Sequence, residues 1–163
     1  MGTHEPKVKN ESWDKVQRAK NKHIENKHRI IVTGNSHARG CAAEIKLNLD
    51  EGFEAQGFVI PGTGVNTITS SAKTDIQHLS KQDVVVVWGG SKDVGKNETK
   101  KGINCIQRFI KMNSHANFIL MEVPHRYDME QISCVNKEVD KYNRWIWKHM
   151  TIFENTSNKG WFR

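Results

Sequence analysis

Residues 29–40, Arg-Ile-Ile-Val-Thr-Gly-Asn-Ser-His-Ala-Arg-Gly, restrict the architecture more than any other stretch of the chain. Ile30 to Thr33 is a short apolar, β-branched run, the composition of a strand covered on both faces. Gly34 permits a sharp turn, and Asn35 and Ser36 are residue types that cap helices. Beyond them Ala38, Cys41, Ala42, Ile45 and Leu49 fall at helical spacing. Strand, tight turn and helix in that order place Ser36 at the carboxyl end of the strand, the edge where open α/β sheets bind ligands. A serine there either caps the helix or presents its hydroxyl to a ligand beside the helix's free N–H groups. Both readings stay open at this point.

The remaining chain repeats the alternation. Residues 52–57 read as a turn-rich connection and Phe58-Val59-Ile60 as a short second strand. Pro61-Gly62-Thr63-Gly64 then forms a loop at the same edge as Ser36. A helix over 66–79 follows, with Ile68, Ala72, Ile76 and Leu79 at helical intervals. Residues 83–88 contain four consecutive valines, the mark of a central strand. A loop over 89–95 ends it. Ile103, Ile106 and Ile110 mark a third helix, and residues 117–123 a fourth strand closed by Pro124. Ile132, Val135, Val139, Tyr142 and Ile146 step by three and four in a fourth helix, and 150–153 reads as a short fifth strand. Such alternation predicts parallel βαβ units in a three-layer α/β/α sandwich with about five strands.

At 163 residues the chain makes one domain with a sizeable core. Residues 1–28 are rich in Lys, Asn, Glu and His and sparse in apolar residues such as Trp13, Val16 and Ile24. They read as a solvated, poorly ordered basic leader to a domain over 29–163. No apolar run reaches membrane-spanning length and no secretory signal is present. Met1-Gly2 does not open a myristoylation motif, because Pro6 stands where Ser or Thr is required. Cys41, Cys105 and Cys134 form no CxxC pair and no metal-ligand spacing with histidine. Reduced thiols, an intracellular and more cytoplasmic than nuclear setting, and no metal or cofactor are the corresponding expectations. Without a secretory route the Asn-x-Ser/Thr triplets at Asn10, Asn97 and Asn155 carry no meaning. The net charge of +7 is spread along the chain, which predicts a solvated basic surface with weak, non-specific attraction to nucleic acid.

The loops at 34–37, 61–65 and 89–95 should gather at one rim. Acyl transfer needs a nucleophilic hydroxyl and N–H or amide donors aimed at the developing oxyanion. Ser36 offers the hydroxyl, and its own N–H and that of Gly62 offer donors. Phosphate binding is the rival reading of such turns, but no Gly-Lys-Ser/Thr and no GxGxxG is present.

Gly34-Asn35-Ser36-His37 resembles the Gly-Asp-Ser-His nucleophile turn of SGNH (GDSL-type) esterases. Pro61-Gly62 falls where that family has its second-block glycine. Trp88-Gly89-Gly90-Ser91-Lys92-Asp93-Val94 resembles the third block, Gly-x-Asn-Asp. Val123-Pro124-His125-Arg126-Tyr127-Asp128 and Ser133-Cys134-Val135-Asn136-Lys137-Glu138 resemble the branch found in first-open-reading-frame proteins of animal non-LTR retrotransposons. The resemblance implies a flavodoxin-like sandwich, Ser36 as nucleophile, a small acyl-ester substrate, and an oxyanion hole from Ser36 N–H, Gly62 N–H and the third-block Asn.

Three departures accompany it. Asn35 replaces the usual Asp. Lys92 stands at the oxyanion Asn position, where its ammonium can act as a point charge but lacks the fixed geometry of an amide. The family's final block, which brings the general base, would begin about where Gly160-Trp161-Phe162-Arg163 stands, so the expected base is missing. His125, just past the fourth strand, is the sterically reasonable surrogate. Asp75 and His78 lie within a helix far from the rim, His37 adjoins the nucleophile, and His149 reads as a partner for a helix C-terminus. The expectation is a degenerate or truncated, mobile-element-derived carboxyl-ester hydrolase domain with turnover near background. A non-catalytic module on the same fold, binding nucleic acid or lipid, is the alternative.

Overall fold

The computed structural model describes residues 27–156, with side chains through residue 149. The expectations for residues 1–26 and 157–163 lie outside the described residues. Four strands, β1 (His28–Gly34), β2 (Phe53–Val59), β3 (Val84–Trp88) and β4 (Asn117–Leu120), form one parallel sheet in the order β2-β1-β3-β4. The two β-branched runs, β1 and β3, therefore take the centre. There they bury both edges of their ladders as well as their side chains. Val85 and Val87 alternate with half-buried Val84 and Val86, the period of two that a strand imposes.

Among the described residues six α-helices accompany the strands: α1 (Cys41–Asn48), α2 (Val65–Ser71), α3 (Lys73–Ile76), α4 (Ser91–Gly95), α5 (Thr99–Met112) and α6 (Cys134–Thr156). Ile31, Val85, Val87 and Leu120 face a continuous apolar core with Val65, Ile76, Ile106 and Tyr142 from α2, α3, α5 and α6. The opposite face carries α1, which packs on β2. Gly57 is in register with Val32 on that face, and a Cβ on it would lie 3.0 Å from the Cβ of Ala42. Close helix–strand approach therefore depends on the missing side chain.

Asp83 ties the amino edge together. Its carboxylate accepts from Arg29 N–H at 2.7 Å, Ser80 N–H at 2.6 Å and the Ser80 hydroxyl at 2.9 Å. Burial alone would raise its pKa, but these hydrogen bonds and the charge of Arg29 outweigh it and hold the group below its ordinary 3.8.

The fold is α/β with a parallel sheet, as expected, but several boundaries move. β2 begins at Phe53, so most of the expected turn over 52–57 is strand; its Glu, Gln and Gly residues suit an exposed edge. The first helix is interrupted: a 3-10 turn (Ser36–Ala38) precedes Gly40, whose φ of 80° resets the backbone before α1. The expected helix over 66–79 is α2 and α3, divided at Ala72. The loop over 89–95 contains α4. β4 stops at Leu120, because Val123 turns its backbone to a side chain of α6. Residues 150–153 are not a fifth strand: they continue α6, because β-branched and aromatic residues also fit a helix that already runs through them.

Candidate active site at the carboxyl rim

β1 ends against β3 too closely for any side chain at Gly34. A Cβ there would lie 2.5 Å from the Trp88 carbonyl oxygen and 2.7 Å from the Cβ of Ala38. The next residue, Asn35, donates its N–H to the Trp88 carbonyl at 3.0 Å. Its buried side chain accepts from His37 N–H at 3.0 Å, so Asn35, not Ser36, caps the 3-10 turn. Ser36 sits in the first position of that turn with its side chain exposed. His37 stacks on Trp88, ring centroids 6.0 Å apart.

The second loop places Gly62, at φ +68°, on the surface. The Thr63 hydroxyl fixes this turn by donating to the Ile60 carbonyl at 2.8 Å. The third loop is organised by its aspartate. Asp93 is buried and accepts from Val65 N–H at 2.9 Å, capping α2 from another element. Glycines make room for it: a Cβ on Gly64 would lie 2.9 Å from its Oδ1, and one on Gly102 would lie 3.0 Å from its Cβ. Lys92, the preceding residue, is exposed. Above this loop Tyr142 donates its hydroxyl to the Gly89 carbonyl at 2.9 Å. Burial, with the negative charge of Asp93 as a lesser cause, pushes its phenol well above the ordinary range. It remains a neutral donor.

The segment after β4 is held by one stripe of α6. Asn143 donates to the Val123 carbonyl at 2.8 Å and accepts from its N–H at 2.9 Å. Asn136 accepts from Arg126 N–H at 2.9 Å and donates to the carbonyls of Arg126 and Glu130. Between them Asp140 Oδ1 lies 2.8 Å from Nε2 of His125. One turn further on, Trp147 donates to the Glu122 carboxylate. Positions 136, 140, 143 and 147 are helical neighbours, and they meet 126, 125, 123 and 122 in reverse order. The helix reads the loop residue by residue.

This arrangement opens a cleft of about 390 Å³ lined by His37, Ser91, Pro124, His125, Arg126 and Asp128. Arg126 pairs with Asp128, which holds that carboxyl below its ordinary value. The structure thus brings His125 and His37 to one cleft at the sheet's carboxyl rim. Ser36 adjoins His37 in the chain but is not among the lining residues, nor are Gly62 and Lys92. Asp75 and His78 lie at the opposite edge, where α3 meets the start of β4: His115 Nε2 is 3.0 Å from the Ile76 carbonyl oxygen. His149 stacks on Trp145, with Nδ1 2.9 Å from the Trp145 carbonyl oxygen. Sequence reasoning missed Asp140 and Asn143, and it met Asn136 and Ser91 only as members of the resembling blocks, with no role of their own. The polar positions 136, 140 and 143 at helical spacing were the available signal for the first three. No group of three or more metal-ligating side chains occurs among the described residues.

No family model matches the chain, and no curated protein matches it in sequence. Among solved structures it is similar to the crystal structure of a member of the lipolytic protein G-D-S-L family from Veillonella parvula DSM 2008. The identity is 15% and the TM-score 0.61, over 77% of this chain and 74% of that one. The likeness shows that this chain shares the α/β fold of that structure. No described helix is long and apolar enough to cross a membrane.

Proposed function

We propose that the domain is a serine carboxyl-ester hydrolase of reduced power, with Ser36 as nucleophile and His125 as general base. The observation that carries this reading is His125, which pairs with Asp140 at 2.8 Å and lines a cleft that also holds the neighbour of Ser36. In the reaction His125 takes the proton of the Ser36 hydroxyl as its oxygen attacks the ester carbonyl carbon. The tetrahedral intermediate collapses, the alcohol leaves with that proton, and water repeats the sequence on the acyl-enzyme. The N–H groups of Ser36 and Gly62 are the available oxyanion donors.

Lys92 explains the reduced power. It is exposed and carries no amide, and loss of one oxyanion donor costs roughly a hundred- to a thousand-fold in rate. The likeness of residues 123–128 and 133–138 to the retrotransposon branch supports a mobile-element origin. Hydrolysis of p-nitrophenyl acetate tests the assignment. Slow turnover should disappear in Ser36→Ala and in His125→Ala, and Lys92→Asn should raise it by about tenfold or more. A rate unchanged by Ser36→Ala contradicts the proposal and favours a non-catalytic binding module on the same fold.

A further inference from the structure

We infer that Asp140 is a positioning residue that fixes the tautomer of His125, leaving Nδ1 as the nitrogen that accepts the proton. The inference rests on the reading of His125 as base.

A carboxylate only accepts hydrogen bonds, so the nitrogen 2.8 Å from Asp140 Oδ1 must carry hydrogen. That nitrogen is Nε2. In the neutral ring the other nitrogen, Nδ1, is then an acceptor. The charged groups around the ring leave this role to Asp140. Arg126 and Asp128, on the same segment, are engaged with each other, and His37 reaches the cleft from the turn after β1.

The backbone of His125 is held independently of Asp140. Asn143 binds both polar groups of Val123 on one side, and Asn136 binds both of Arg126 on the other. Asp140 adds one thing to these clamps, the orientation and protonation pattern of the ring. His125 and Asp140 side chains are 43% and 50% exposed, so replacing Asp140 leaves the core intact.

The test is ¹⁵N NMR of the histidine side chains in the full chain at alkaline pH, together with the ester assay. The unmodified protein should show His125 with hydrogen on Nε2. Asp140→Ala should give a mixture of tautomers and reduce Ser36-dependent hydrolysis at least about tenfold, part of the hundred- to ten-thousand-fold a placed base supplies. Asp140→Asn, whose carbonyl oxygen still accepts, should keep the Nε2–H signature. An unchanged tautomer in Asp140→Ala overturns the positioning role whatever the rate does. A tautomer that follows Asp140 while hydrolysis is unmoved by His125→Ala overturns the base assignment instead.

Discussion

Asp83 combines three donors in one carboxylate, and its contribution to stability has a definite sign. Its folded pKa lies below the ordinary 3.8, so the folded state favours the charged form. That stabilisation is complete above the ordinary value and is lost as pH falls through the lower folded one. Asp83→Asn should therefore destabilise by about 1–3 kcal/mol near neutrality, since its amide would face N–H donors. The difference from the unmodified protein should shrink as pH drops below about 4, and urea unfolding at several pH values reads it. A constant difference across that range contradicts the account. At this scale the site was partly legible. Gly34 breaking a β-branched run located Ser36, but Asn35 and Ser36 are equally good caps and only the buried Asn35 contact separates them. Gly90 was unreadable locally. A Cβ there would lie 2.4 Å from Cζ of Tyr142, a residue far along the chain.

Elements were legible where periodicity and burial agree, as in β1, β3 and α5, and not where they part. β2 is an edge strand with mostly exposed side chains, so its sequence resembles a connection. Residues 150–153 look like a strand because β-branched and aromatic residues fit either state, and continuity with α6 decides. The recognition stripe of α6 has an elemental consequence. Asn143 replaces a strand partner for Val123, so Asn143→Ala should release the segment after β4. Hydrogen exchange at Val123 and Arg126 should accelerate at least about tenfold, with a loss of about 1–3 kcal/mol in stability. Unaltered exchange at Val123 would show that something other than α6 holds the segment.

For the molecule as a whole, strand–helix alternation was enough for the α/β fold, because parallel strands need covered faces. Charge is the other property at this scale. With +7 spread along the chain, binding to nucleic acid should be weak, indifferent to sequence and steeply salt-dependent. Binding to one oligonucleotide that persists at about 0.5 M salt, where backbone attraction is screened, would reveal a dedicated interface instead. The central claim concerns Ser36, and covalent trapping addresses it most directly. Treated with a serine-directed fluorophosphonate, the protein should gain one adduct, mapped by mass spectrometry to Ser36. Labelling should vanish in Ser36→Ala and slow by about a hundredfold or more in His125→Ala, the range a general base contributes. An adduct that persists in Ser36→Ala, or no adduct on the unmodified protein, would contradict the account.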